Sequence, residues 1–450
     1  MTSLLDGCTP WPEEYVDHYW AAGHWRGTTL DSLLRGWALD HGPRTALVHG
    51  DTRVTYAALN RRADRMAAGL RLRGLRSGQR VIVQLPNVPE LVTTLFALLR
   101  AGLVPVLCPP EHRGPEVSEL VRLTQAVGYV GPATHAGFDH TAMVAEIAAR
   151  GPFLRRVFTY EPPGTASEFG GGLTTDPAGC HYSPLASLDA PPEPALAQSA
   201  GQVALLLPAG APGGGLVPRT HDDYAYQARA AGEATSLTRD DVYLAALPAG
   251  SNTVLGCPGI LGTLTAGGTV VLADGPDPAT CLPLIARERV TVTTVTTPVA
   301  ESWLAYPGGT DTATLRLLQL TGTPPSPGTA GRAGRAFGCR VQQLFALPEG
   351  VVLLTRPEDP AEATPATHGR PLSPDDRIRV VDASGADVPD GTTGRLLARG
   401  PYTPRGHYRA TAADTFTPDG YLRTPYLAHR TPTGTLVVTG PAPHTPDSTS

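Results

Sequence analysis

The sequence predicts an α/β protein, with two α/β subdomains followed by a smaller β-rich one. Three observations predict it. The chain has 450 residues, more than one hydrophobic core usually covers. Short β-branched runs alternate with stretches whose apolar residues recur at helical spacing. Near Arg377 that alternation gives way to strand-and-turn patterning of hairpin character.

In order along the chain, Leu59, Ala63, Met66 and Leu70 keep one face apolar from Thr55 onward, with arginines outward and Gly74 as a stop, so an amphipathic helix is expected. Val81 to Leu85 reads as a strand bounded by Pro86-Asn87. A helix from Glu90 to Arg100, closed by Gly102, and a strand from Leu103 to Leu107 follow. Strand, helix, strand implies a parallel α/β unit. Glu161 to Gln202 is dense in Pro, Gly, Ser and Ala, for example Pro191-Pro192-Glu193-Pro194, and is expected to be an irregular connection. The first subdomain is therefore drawn over 1–200. The rhythm resumes in a second subdomain, 201–335, with strands at Val203–Leu207, Thr269–Leu272, Val290–Val295 and Leu315–Leu320. The β-rich subdomain, 336–440, contains Arg377-Ile378-Arg379-Val380-Val381, and residues 441–450 are expected to be a disordered tail.

Composition excludes several functions. Hydrophobic residues are 41% and charged residues 17%, without an apolar run of about 18 residues that would span a bilayer. A net charge of -5 without a basic cluster points away from nucleic acid and from anionic membranes. Asp6, Glu13, Glu14 and Asp17 stand where a secretory signal needs a basic start and an apolar centre, so a cytoplasmic location is expected. Six cysteines are scattered with no C-x-x-C pair and are expected to be reduced thiols. All 36 basic residues are arginine, and lysine is missing altogether. Chemistry that needs a compact ammonium on a flexible stem has no residue here to supply it.

Gln84-Leu85-Pro86-Asn87, Val217-Pro218-Arg219-Thr220-His221-Asp222-Asp223-Tyr224, Ala246-Leu247-Pro248 and Gly400-Pro401-Tyr402-Thr403 together resemble the 2,3-dihydroxybenzoate and salicylate AMP ligases of the ANL superfamily of adenylate-forming enzymes. The resemblance runs in order from about Tyr15 to about Gly440. It implies the large N-terminal domain of that fold, ending where the family's C-terminal lid domain would begin. In the family, ATP and Mg2+ activate an aryl acid as its adenylate. The aryl group then passes to the thiol arm of a carrier protein, and a lysine on the lid assists.

The resemblance places nucleotide-side positions on Gly210, Gly213, Gly214, Gly215, Gly322, Phe345, Glu349 and Tyr426. The family's phosphate loop is a Ser/Thr/Gly-rich turn closing on lysine. Leu207-Pro208-Ala209-Gly210-Ala211-Pro212-Gly213-Gly214-Gly215-Leu216 has no hydroxyl and no lysine, and its prolines lack N–H donors; the other reading is a flexible Gly/Pro turn between a strand and a helix. Phe345-Ala346-Leu347-Pro348-Glu349-Gly350 keeps only the aromatic, the acid and the last glycine of the adenine-side motif. Glu349 is the one metal candidate, and the alternative is a capping or solvated glutamate. Leu422-Arg423-Thr424-Pro425-Tyr426 and the later Pro441 replace the ribose-binding aspartate and the hinge arginine. For the aryl acid, the resemblance implies Ser251, Asn252, Cys257 and Val352, with Cys257 and Val352 also readable as small core residues. His221-Asp222-Asp223 is not expected to be catalytic, because adjacent helical side chains point apart, and no catalytic residue is assigned.

Two functional expectations follow. The first is a degenerate adenylation-domain homologue, needing no cofactor, that binds an aromatic carboxylic acid and serves an aryl carrier protein or a partner adenylation enzyme in aryl-capped peptide or siderophore-like biosynthesis. The second is a working aryl-acid ligase that uses ATP and Mg2+, with its lid supplied by another chain and arginine replacing lysine; Arg219 is the nearest cation after the loop. A third class, nucleotide-independent acyl or aryl chemistry, lacks a nucleophile that the sequence alone can name.

Overall fold

The protein is described by a computed structural model covering residues 4–162, 173–210, 215–308, 311–359, 366–410 and 415–442. Among the described residues the strands form two large sheets, one smaller antiparallel sheet and a short hairpin. The first large sheet has eight strands. Its inner members Val203–Pro208, Val104–Leu107, Arg80–Val83, Gly128–Pro132 and Arg156–Tyr160 are neighbours in that order and run parallel. The second has nine strands, including Arg340–Leu347, Leu317–Thr321, Val292–Thr296, Val242–Ala245 and Thr269–Leu272, again parallel. The α/β class and the β-rich third unit are as expected: Arg377–Val381, Gly394–Arg399, Leu422–Arg430 and Leu436–Pro441 form the four-stranded antiparallel sheet.

The predicted helices form for the reasons that suggested them. Thr55 caps the helix Tyr56–Leu72 by accepting the Ala58 N–H, and Leu59, Ala63, Met66 and Leu70 are buried. Pro89–Arg100 carries its proline in the first turn, where no N–H is needed. This helix is buried almost all round because it lies between the sheets, against the helix Tyr56–Leu72.

Three readings change. The two large sheets are not consecutive stretches of chain: Val203–Pro208 and Leu216–Thr220 join the first sheet, while Thr45–His49 and Thr52–Thr55 join the second. Residue 200 is therefore no boundary between sheets; hydrogen-bond pairing, not chain order, assigns these strands. The connection from Glu161 to Gln202 contains a strand, His181–Pro184, parallel to Arg156–Tyr160. Pro441 ends a strand, pairing with Tyr426, so it is not part of a tail; residues 443–450 lie outside the described residues.

Asn87 ties the two layers together. Its amide Nδ2 donates to the carbonyls of Ala245 (3.2 Å), Leu247 (3.0 Å) and Ala273 (3.0 Å), and its Oδ1 accepts the Ala249 N–H at 2.7 Å. Each of these partners ends or follows a second-sheet strand, so a single buried amide fixes where the strand ends of the two sheets meet. All six cysteines are free, four of them buried. No described helix is long and apolar enough to cross a membrane.

Candidate functional site

The crevice outside the carboxyl ends of parallel strands is where α/β sheets place ligands, and a cavity of about 180 Å³ opens there. Val83, Leu85, Cys108 and Leu207 line it from the first sheet, and Ser251, Asn252 and Pro348 from the second. Its walls are apolar, and the volume suits a small ring.

Of the four aryl-side residues, Ser251 and Asn252 line this cavity. Both are engaged internally. Ser251 caps the short helix Asn252–Gly256 by accepting from the Val254 N–H, and donates to the Pro248 carbonyl. Asn252 donates to the Leu347 carbonyl at 3.0 Å and accepts from Gln227 Nε2 at 3.1 Å. Cys257 and Val352 do not line the cavity but are each 1% exposed in a packed cluster with Tyr226, Leu344 and Tyr402, the Cys257 sulfur accepting from Asn252 Nδ2 at 3.6 Å. Gln227 Nε2 also donates to the Cys257 sulfur at 3.2 Å, and burial pushes that thiol up to about 12. Gln227 was not foreseen, because a glutamine on a helix face has no signature of its own.

On the nucleotide side, the described residues of the phosphate loop, 209, 210 and 215, stand at the ends of two antiparallel strands, Val203–Pro208 and Leu216–Thr220. This is not the strand-to-helix turn expected. The Ala209 N–H donates to the Gly215 carbonyl at 3.0 Å and closes its base. Gly213 and Gly214 lie outside the described residues. The Gly210 N–H, which would face a phosphate, donates instead to the Glu349 carboxylate at 3.1 Å. Glu349 is 4% exposed, and His407 Nε2 lies 3.5 Å from the same oxygen, Oε1. The acid is thus enclosed by a backbone donor and an imidazole that no motif had flagged.

Phe345 and Tyr426 meet edge to face, centroids 5.1 Å apart, with His368 against the same Phe345 ring at 5.6 Å. His368 Nε2 donates to the Gly322 carbonyl at 2.8 Å, and its Nδ1 accepts the Val438 N–H at 3.1 Å. Both nitrogens are committed to the neutral form, and burial holds the ring down at about 4. Gly322, Phe345 and Tyr426 are therefore brought together, with His368 as the buried post between them. Burial, with the Glu349 carboxylate adding to it, raises the Tyr426 phenol.

Arg219 is no spare cation for a phosphate. It is 0% exposed, paired with Asp223 at 2.8 Å, and donates to the Pro348 carbonyl and to Gln227 Oε1, each at 3.0 Å. His221 and Asp222 point elsewhere: His221 Nδ1 accepts the Leu30 N–H, and Asp222 accepts the N–H groups of Arg26 and Gly27. All three side chains of that run hold structure.

The turn carrying Glu349 depends on Gly350, at φ +77°, where an added Cβ would sit 1.8 Å from the Tyr402 carbonyl oxygen. Gly350→Ala is expected to cost more than the ~1–2 kcal/mol of a left-handed backbone alone, because the clash is with main chain. Guanidinium denaturation checks this, and a loss below that range would mean that the turn relaxes freely.

The family model described as AMP-binding enzyme matches residues 34–408. The chain is 44% identical over 419 residues, 90% of its length and 73% of the relative's, to a Streptomyces protein named salicylyl-CoA synthase / salicylate adenylyltransferase. It is 40% identical over 411 residues, 90% of its length and 73% of the relative's, to the 2,3-dihydroxybenzoate-AMP ligase of Bacillus subtilis (strain 168). Among solved structures, the apo structure of Mycobacterium smegmatis MbtA matches with TM-score 0.88 and 40% identity, covering 98% of this chain and 81% of that one.

Proposed function

The chain belongs to the AMP-binding enzyme family, and from that membership we propose that it is an aryl-acid-binding accessory protein that does not adenylate on its own. One observation carries the reading: the Gly210 N–H is bonded to the Glu349 carboxylate. A phosphate loop works by presenting free backbone donors and a cation to an anion. Here the donor is used by a negative group of the protein itself, and the sequence holds no lysine to restore the balance.

The residues present do not fit the magnesium ion of adenylation. One oxygen of Glu349, Oε1, is bonded to the Gly210 N–H and has His407 Nε2 3.5 Å away. Among the described residues no three His, Cys, Asp or Glu side chains converge on a metal position. Magnesium asks for octahedral oxygen ligands, with one or two carboxylates beside phosphate oxygens, and a carboxylate with one oxygen already bonded to a main-chain amide is a poor start.

The apolar cavity beside Ser251 and Asn252 has the size and polarity for an aromatic carboxylic acid with few ring hydroxyls, and the relatives' names, salicylate and 2,3-dihydroxybenzoate, supply the class. The carrier protein or adenylating enzyme of an aryl-capped peptide or siderophore-like assembly is the partner such a protein would serve. Calorimetric titration with salicylate and with 2,3-dihydroxybenzoate, without nucleotide, tests the cleft. Saturable binding of either acid is expected, and heats indistinguishable from dilution would refute it.

A second reading has its own observation. An identity of 44% to a protein named for salicylate adenylylation favours a working ligase with an atypical phosphate grip. On that reading ATP and Mg2+ bind, with Gly210 released from Glu349.

A further inference from the structure

We propose that Cys108, with His112 beside it, is an acceptor for an activated aroyl group, so that the cleft carries out aroyl transfer without ATP. The inference rests on the reading that the cavity holds an aryl group.

Cys108 follows the strand Val104–Leu107 at its carboxyl end, where its N–H donates to the Val83 carbonyl at 2.9 Å. Its side chain lines the apolar cavity opposite Ser251 and Asn252. Among the described residues, no other cysteine does. The thiol therefore borders the space that a bound aroyl group would fill. His112 Nδ1 stands 3.8 Å from the sulfur, at the outer edge of a sulfur hydrogen bond. Nucleophile–base distances are often long before a substrate is bound.

The pair is held on a built turn. The His112 N–H donates to the Pro109 carbonyl at 3.1 Å. Gln84 Nε2, fully buried, donates to the carbonyls of Pro109 (3.0 Å) and His112 (2.8 Å), and Gln84 Oε1 accepts from the Tyr129 hydroxyl at 2.8 Å. Arg113 Nη1 donates to the carbonyls of Pro110 (2.8 Å) and His112 (3.1 Å). Rigid support of this kind keeps reacting groups in register. Burial, with Glu111 and Glu116 adding to it, pushes the thiol above its ordinary range. At rest it is protonated, so attack requires a base within reach, and His112 is that base.

The step balances without redox change. The Cys108 sulfur attacks the carbonyl carbon of the donor while its proton passes to His112. A new carbon–sulfur bond forms and the donor's bond to its leaving group breaks. A thiol leaving group recovers the proton from His112, whereas an AMP leaving group departs as the phosphate anion and the proton is released to solvent. A second thiol then reverses the reaction and takes the aroyl group away. Two donors share this chemistry, an aryl thioester and an aryl adenylate.

The test incubates the full chain with salicyloyl N-acetylcysteamine thioester and, separately, with salicyloyl adenylate, followed by intact mass and peptide mapping. One aroyl adduct on Cys108 is expected, formed about tenfold or more slowly in His112→Gln and not at all in Cys108→Ala. Reaction with the thioester alone, the adenylate alone or both identifies the donor. No adduct from either, adducts spread over other cysteines, or a rate unchanged by His112→Gln would overturn the proposal. Thermal melting verifies that His112→Gln folds, with His112→Asn as the replacement. Salicylate calorimetry on the parent and on Cys108→Ala separates loss of transfer from failure of the cleft itself.

Discussion

Replacing Arg219 with alanine is expected to remove about 3–5 kcal/mol of folding stability, the cost of leaving a buried charge without its partner. Arg219 and Asp223 are 0% and 1% exposed. Asp223 is fixed by the Thr220 N–H at 2.7 Å and hydroxyl at 2.8 Å, so it cannot swing out to water. The guanidinium also packs over the Tyr224 ring at 4.6 Å and holds the Pro348 carbonyl beside Glu349. The change should therefore loosen the Glu349 turn as well as the helix His221–Ala234. Guanidinium denaturation of the single variants and of Arg219→Met/Asp223→Leu checks this: the double variant should recover much of the loss. Single-variant losses below about 1 kcal/mol, the range of exposed pairs, would mean that solvent reaches the pair.

The second large effect is on acid stability. His140 is 0% exposed, neither ring nitrogen has a hydrogen-bond partner, and burial holds it down at about 4 from an ordinary 6.5. A histidine depressed in the fold is stabilising when neutral. Its contribution is whole above about 6.5 and is lost as the pH falls from there through about 4. On acidification from about pH 7.5 to about pH 5, His140→Leu should therefore gain about 2 kcal/mol relative to the parent protein. Comparing variant with parent is necessary because other groups also titrate. His221 and His368 are held down at about 4 in the same sense. Asp376 is pushed up to about 7 by burial and has the opposite slope, its burial becoming costlier as pH rises from about 4 to 7. Parallel denaturation curves at the two pH values for parent and variant would remove His140 from the account.

The fold was legible because the α/β alternation is dictated by burial. A strand covered on both faces must be apolar throughout, and Val81–Val83 and Val104–Leu107 announce themselves. Sheet membership was not legible, because the choice of neighbour depends on long-range pairing that periodicity does not encode. The motif residues were found without their structural roles. Gln84 and Asn87 marked a resemblance, yet their amides hold a turn and join two sheets. Glu349 was singled out from the sequence, but its partners, Gly210 and His407, are distant in sequence and are brought to it only by the fold. Cys257 and Val352 were offered as pocket or core, and they sit in the core because Tyr226 and Tyr402 close over them. Cys108 was passed over as one scattered thiol, since only the folded strand ends place it on the cavity.

Whether the chain adenylates unaided is read from aryl-acid-dependent pyrophosphate exchange into ATP with magnesium, run with salicylate on protein already shown by calorimetry to bind that acid. With the Gly210 donor held by Glu349 and no lysine in the chain, the account predicts exchange at the level of a blank without protein. Exchange that rises with salicylate and saturates would contradict it, and would mean that arginine and backbone groups carry the phosphates.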